Sequence, residues 1–218
     1  MTSFPGAPRT DRCGLVTIDP TTANVLRVIA LQYNPETLTR SLQIQAIADS
    51  ADHSEALRIK GPPVETIKFD AEIDATDQLE FPDQNRGAVE SGIHPQLAAL
   101  EMLAYPTTAQ LQTNNNLAHQ GTLEILPMQS PLLLFVCSRF RILPVRLTEL
   151  SITEEAFDPR LNPIRAKVSL GLRVLNVNDL GFDAKGGSLY LMYQQQKERF
   201  AASAGSAMTG VLGISGIP

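Results

Sequence analysis

Two adjoining stretches of alternating apolar and polar residues constrain the fold of this chain more than any other feature. Residues 145–154 read VRLTELSITE, and residues 164–177 place an apolar side chain at nearly every second position. Successive side chains of a β-strand point to opposite faces of the sheet, so this period of two predicts two half-buried antiparallel strands. Residues 157–163 hold two Pro and two Asx residues, which predicts the turn between them. We therefore expect a long β-hairpin with one apolar face and one basic face.

Further strands are predicted before the hairpin, where apolar segments end in turn residues. The clearest is VETIKFDAEID, in which apolar and polar residues alternate from Val64 to Asp74. The others are residues 14–19, 25–32, 37–48, 123–126 and 132–138.

Two helices are also predicted. Pro95 stands at a first-turn position, where its missing N–H does no harm, and an apolar stripe follows it as far as Tyr105. Ser188 is expected to cap a second helix that runs to about Ala204. Residues 77–85 predict irregular acidic structure, residues 107–120 a loop or insertion, and residues 179–187 a linker.

The sum of these elements predicts a mainly β fold with some helix, either a β-barrel or two packed antiparallel sheets. One helix would cap an opening of the barrel, and a second helix would follow at the C-terminal end. We expect three regions: an arm at residues 1–13, the β domain at residues 14–178, and a linker, helix and Gly-rich docking tail at residues 179–218.

Charge and cysteine content exclude some classes of function. A net charge of −5 and a pI of about 5.2 argue against a general binder of nucleic acid or anionic membranes. No secretory signal or membrane-spanning run is predicted. Cys13 and Cys137 lie far apart without motif spacing, so two free thiols are favoured, and a disulfide stays open as the alternative.

Catalytic motifs are not found in the sequence, so we expect no enzyme, no cofactor and no metal site. His53, His94 and His119 are scattered among loop-like residues, and Cys137 lies in an apolar strand. Carboxylates at every second position of the strand ending at Asp74 would lie about 6.5–7 Å apart, which is too far to chelate a cation without further ligands.

The charged strand faces are instead predicted to mediate subunit contacts or to line a channel. An acidic protein that carries one acidic and one basic strand face has surfaces suited to pairing between subunits. The candidate residues are Thr66, Lys68, Asp70, Glu72, Arg165, Lys167 and Arg173.

Four stretches together resemble the tube-like domain of the baseplate adaptor of contractile injection systems and related phage tails. Tyr33-Asn34-Pro35 follows a strand, as the family's (F/Y)-N-P element does. Residues 64–74 resemble its strand that ends in an acidic segment, and residues 95–106 its single helix. Residues 140–176, with Pro163-Ile164-Arg165-Ala166, resemble its terminal hairpin. The resemblance covers residues 15–178, and no LysM module is evident after them.

The resemblance implies a structural protein that joins the inner tube to the spike hub and baseplate. It implies a ring of the chain itself, with six copies, and contacts with inner-tube, spike-hub and baseplate wedge proteins. Adaptor, tube initiator and tube protein remain open as alternatives. Assembly is expected in the cytoplasm, into a phage-tail-like particle whose extracellular release stays open, with no nucleic-acid partner and no membrane insertion.

The C-terminal helix is expected to dock on a neighbouring baseplate or hub protein. The docking candidates are Leu189, Tyr190, Met192, Tyr193 and Phe200. The alternative reading is a monomeric ligand- or carbohydrate-binding barrel with the Asn114 segment at its mouth. The absence of Trp from the sequence leaves few aromatic platforms for sugar stacking.

Overall fold

A computed structural model describes residues 11–45, 58–119 and 130–204, and a seven-stranded antiparallel sheet forms its centre. The strand order is β2-β1-β5-β6-β7-β4-β3. The strands are β1 (Gly14–Ile18), β2 (Val25–Ala30), β3 (Leu38–Gln43), β4 (Val64–Asp74), β5 (Leu132–Val136), β6 (Ile142–Phe157) and β7 (Pro163–Val174). The mainly β class with added helices is confirmed.

The sheet curls on itself without closing into a barrel. Phe69 of β4 and Phe135 of β5 stack with ring centroids 5.2 Å apart, although β6 and β7 lie between their strands. In a flat sheet, three strand spacings would separate them by about 14 Å. Gln32, just beyond β2, donates to the carbonyl of Asp74 at 2.7 Å and accepts from its N–H at 2.9 Å. The described strands thus surround the core but leave β2 and β3 as unpaired outer edges.

The period-two patterns predict correctly which side chains enter this core. On β4 and β7 the apolar set is buried and the polar set faces outward, with Glu65 the buried exception, because one face of each strand lies against the interior of the curl. Each fully buried Val, Leu, Ile or Phe side chain of this set stabilises the fold by about 1.5–3 kcal/mol. The buried residues are Ile67, Phe69, Ala71, Ile73, Ala166, Val168, Leu170, Leu172 and Val174.

The described residues contain six helices: α1 (Thr76–Leu79), α2 (Arg86–Ser91), α3 (His94–Glu101), α4 (Thr108–His119), α5 (Val177–Leu180) and α6 (Lys185–Ser203). The helix predicted from Pro95 is confirmed as α3, with Pro95 in its first turn. Leu97 and Leu100 of α3 are buried in the core. The predicted irregular segment at residues 77–85 begins instead within α1.

The predicted loop at residues 107–120 is wrong, because α4 occupies Thr108–His119. Its first turn is closed by reciprocal bonds between Thr107 and Gln110. The Gln110 side chain accepts from the Thr107 N–H at 2.9 Å, and the Thr107 hydroxyl accepts from the Gln110 N–H at 3.3 Å. This capping pair satisfies two backbone N–H groups at the start of α4 and so favours a helix despite its low apolar content.

The predicted linker at residues 179–187 is also corrected. Asn176 and Asp179 form a capping box that begins α5, which ends at Leu180. Helix α6 then begins at Lys185, so Ser188 lies inside it and does not cap it. The Ser188 hydroxyl donates to the Lys185 carbonyl at 2.8 Å, as hydroxyls within helices commonly do.

Cys13 and Cys137 form a disulfide, which corrects the prediction of two free thiols. The bond joins the residue before β1 to the residue after β5, two strands that pair along their whole length. Sequence spacing could not reveal this pair, because 124 positions separate the two cysteines and only the sheet brings them together.

Several predictions lie outside the described residues. These are the first ten residues of the arm, the strand at residues 123–126, the tail from residue 205 and His53. Within the described part of the chain, none of the helices combines the length and apolar character needed to cross a membrane.

Candidate functional site

The predicted hairpin forms, but it lies inside the sheet and not at its outer edge. Strand β7 is paired on both sides, by β6 and by β4. Strand β6 is the longest strand, and β5 pairs only with its first four residues, Ile142 to Val145. Beyond Val145, no described strand pairs with this side of β6. We call residues 146–157 the uncovered β6 edge, and it is the part of the hairpin that retains edge character.

Strand β2 is an outer edge that exposes apolar side chains. Val25, Leu26 and Val28 are 61%, 58% and 62% exposed. Exposed apolar edge strands are adhesive, because their unpaired N–H and C=O groups template a further strand. The run VLRVIA carries no Pro or Lys, the residues that commonly blunt such edges. Its apolar residues occupy both odd and even positions, which is the sequence signal that could have identified it, since a strand that is apolar on both faces is expected to be covered on both.

The opposite outer edge, β3, is tied to β4 by an ion pair between Arg40 and Glu65. Arg40 donates through Nε to Glu65 Oε1 of β4 at 2.7 Å. Glu65 is almost fully buried, so its charge requires this partner. The Arg40 guanidinium also donates to the Tyr193 hydroxyl at 3.1 Å, which ties α6 to the same strand pair.

A groove of about 1030 Å³ lies beside the uncovered β6 edge. One wall is residues 146–150 of β6, and the facing walls are residues 102–107 and the start of β2. Most of the lining side chains are apolar. They include Leu26, Met102, Leu103, Tyr105, Leu132, Leu147 and Leu150.

The acidic and basic strand faces predicted as interface or lumen candidates are neighbours in one sheet. The register of β4 and β7 places Thr66 beside Arg173, Lys68 beside Gly171, Asp70 beside Ser169, Glu72 beside Lys167 and Asp74 beside Arg165. Opposite charges therefore meet within the chain along part of this face. Its role between subunits or in a lumen stays a prediction.

Two ion pairs lie along this face. Lys68 Nζ and Glu149 Oε2 lie 2.8 Å apart across β7, at the position where Gly171 has no side chain. Arg165 Nε donates to Asp74 Oδ2 at 2.7 Å. Partial burial alone would raise the pKa of Asp74, but hydrogen bonds from Thr76 and Arg165 outweigh it and hold that pKa below the usual value.

The predicted docking helix divides its candidates between two faces. Tyr190 and Tyr193 are buried in the core of the same chain, and Leu189 packs on the smaller cluster of Ile18, Leu132 and Leu134. Met192 and Phe200 are exposed, so these two are the candidates that a partner could reach. Burial raises the pKa of Tyr193, and the nearby Glu65 carboxylate raises it further.

An exposed aromatic pair marks the far end of α6. Phe200 meets Phe140 edge-to-face with centroids 5.3 Å apart, and the Arg139 guanidinium lies 4.5 Å from the centre of the Phe140 ring. This cluster joins the last turns of α6 to the turn between β5 and β6.

Asn34, in the Asn-Pro stretch that contributes to the family resemblance, stabilises the chain before β1. The Asn34 side chain accepts from the Cys13 N–H at 2.8 Å and donates to the Asp11 carbonyl at 2.9 Å. It therefore holds the chain that enters β1, while the neighbouring Gln32 holds the end of β4. In the described residues, no group of three or more His, Cys, Asp or Glu side chains is placed to hold a metal ion.

Comparison with known proteins gives a likeness in structure but none in sequence. No family model and no curated protein matches the chain. The chain is similar to one in a solved structure described as the tail of an empty GTA particle with C6 symmetry. That alignment covers 74% of this chain and 90% of the other, with 11% identity and a TM-score of 0.30.

Proposed function

We propose that this chain is a structural subunit of a contractile injection system or phage-tail-like particle. It would assemble as a ring, with six copies implied by the family resemblance, and join the inner tube to the spike hub and baseplate. Its task is assembly, with no chemical step, and it would be made and assembled in the cytoplasm.

The observation that carries the proposal is the set of open strand edges on one curled sheet. Strand β2 exposes three large apolar side chains, and the uncovered β6 edge offers twelve residues beside an apolar groove. The described part of one chain leaves these surfaces uncovered, whereas contacts between subunits would bury them. Such contacts between unlike surfaces close into a ring when the rotation permits.

Two further features support a subunit with several neighbours. The four stretches that resemble the adaptor family lie in one fold: the Asn34 turn, β4, α3 and the hairpin of β6 and β7. Helix α6 is anchored in the core by Tyr193 and still presents Met192 to solvent. An anchored helix with an exposed apolar face suits contact with a second protein, such as a baseplate or hub component.

Affinity purification of the tagged full chain from its source cells, followed by negative-stain electron microscopy, tests this proposal. We expect sheathed particles or six-fold discs. A single species of 23.7 kDa without partners would contradict it. The variant Met192→Glu should retain the rings and lose a co-purifying partner, whereas Gln112→Glu, at an exposed position of α4 outside the predicted contact surfaces, is the control for one added negative charge.

The groove favours a second candidate, a monomeric ligand-binding module. Its volume suits a small molecule. Tyr105 is the one aromatic side chain in its described lining, which offers little stacking surface for a sugar. A monomer that retains a small molecule through purification would support this candidate over assembly.

A further inference from the structure

We infer that β2 of one copy pairs with the uncovered β6 edge of a second copy of this chain. The inference rests on the proposed ring function and names the strands that would form the subunit contact. The occupant is thus a short apolar strand, and the site is the edge of residues 146–157 with the groove beside it.

The backbone of β2 is arranged to donate outward. The Leu31 N–H donates to the Cys13 carbonyl at 2.9 Å, and the register then pairs Ala30 with Gly14 and Val28 with Val16. Antiparallel pairs alternate between bonded and non-bonded positions, so Val28 and Ala30 occupy the non-bonded ones. Their N–H and C=O groups point away from β1 and are available to a further strand.

Charge favours the uncovered β6 edge as the recipient of β2. Residues 146–157 carry Glu149, Glu154 and Glu155 against a single basic residue, Arg146. Strand β2 carries one charged residue, Arg27, and no acidic one. The contact would therefore place a cationic apolar strand on an anionic edge, which favours this partner over a second β2 strand.

Strand direction also selects β6 over the outer edge β3. Every pairing in the sheet is antiparallel, so strands that lie an odd number of places apart in the order run in opposite directions. By this rule β2 runs opposite to β6 and in the same direction as β3. A rotation axis along the strands preserves these directions in the next copy. In such a ring, β2 would meet β6 as an antiparallel strand, the geometry of all the other contacts, and would meet β3 as a parallel one.

Photo-cross-linking of the full chain tests the contact directly. The photoreactive residue p-benzoylphenylalanine replaces Val28, and isotope-labelled and unlabelled chains are mixed so that links between copies are recognised by mass. We expect Val28 to link to a peptide within residues 146–157 of another copy. The same probe at Leu42, on β3, is the control and should give no link to that peptide. A link from Val28 to any other segment, or none between copies, would overturn the inference.

A backbone substitution gives an independent test. Val28→Pro removes one outward N–H and cuts no bond to β1, so the fold should persist, as circular dichroism will verify. Loss of that bond should raise the concentration at which copies dissociate about tenfold or more, whereas Val28→Thr, which keeps the N–H, should leave it near the wild-type value. Wild-type assembly by Val28→Pro would overturn the inference. Rings that form while residue 28 links elsewhere would refute it and leave the proposed function standing, whereas failure of every variant and the wild type to assemble would refute both.

Discussion

Asp74 and Arg165 join the ends of β4 and β7 through one hydrogen-bonded ion pair. The lowered pKa of Asp74 means that its charged form is stabilised by folding. A group with a depressed folded pKa contributes stability that is present above its unfolded pKa, near 3.8, and is lost as pH falls through the folded value. The ion pair should therefore stabilise the fold at neutral pH and cease to stabilise it in acid.

Arg165→Ala tests this linkage. At pH 7 we expect a modest fall in the thermal midpoint, because the Asp74 carboxylate loses one of its donors. The difference from wild type should shrink as pH falls from about 4 through the lowered pKa of Asp74, because below that pKa Asp74 is protonated in both proteins. Lys167→Ala, two positions along the same strand, is the control and should show no such trend. A difference that stays constant from pH 7 to pH 3 would contradict the assignment.

At the scale of single residues, the sequence predicts which side chains are buried but not which distant side chains form contacts. The inward side chains of β4 and β7 were predictable because one face of each strand is buried and the period of two records that burial. The contact of Arg40 with Glu65 and Tyr193 was not, because the three lie on separate elements and only the folded sheet brings them together.

At the scale of elements, α6 is an amphipathic helix whose inner face belongs to the core. Tyr193 is 7% exposed and the adjacent Met192 is 54% exposed. Tyr193 therefore anchors the helix, and Met192 does not.

Adjacent alanine substitutions on α6 separate these roles. Tyr193→Ala should lower the free energy of unfolding by about 3 kcal/mol, because it removes a buried ring and leaves Arg40 without one acceptor. Met192→Ala should change it by no more than about 0.5 kcal/mol, since its side chain is largely in water. Urea denaturation monitored by circular dichroism measures both. Equal effects of the two substitutions would mean that α6 is not docked through its Tyr193 face.

Elements also show why part of the candidate site escaped sequence reasoning. The hairpin of β6 and β7 was predictable from local patterns, but its place in the sheet depends on β5 and β4, which pair with it over long distances along the chain. The uncovered β6 edge arises because β5 is eleven residues shorter than β6, 5 against 16, and no local pattern records that difference. Helix α4 was missed for the opposite reason, because its cap is local but none of its residues is buried, so no apolar stripe marks it.

At the scale of the whole molecule, the disulfide fastens the β1–β2 hairpin to the rest of the sheet. Closing a loop of this length removes about 4–5 kcal/mol of unfolded-state entropy in the chain-entropy account. A reducing compartment would hold the same residues as thiols and forgo that contribution.

Cys13→Ser with Cys137→Ser tests the size of this contribution. The double variant should melt well below the wild type under oxidising conditions. Dithiothreitol should lower the wild-type melting temperature to near that of the variant and leave the variant unchanged. Two results together would contradict the disulfide. The reductant would leave the wild-type melting temperature unchanged, and the wild-type cysteines would react with an alkylating agent before reduction.

The strand order also has a consequence for how the protein is made. Strands β1 and β2 pair with each other and then only with β5, whose far end carries the cysteine 124 positions after Cys13. A ribosome adds about 5–20 residues per second, so the first hairpin, complete at Ala30, would wait on the order of 5–20 s until β5 is synthesised as far as Val136. Throughout that interval β1 lacks its partner β5, and the apolar β2 strand has no other subunit beside it. Nascent chains of this protein should therefore depend on chaperones that hold exposed strands, and most strongly before β5 leaves the ribosome.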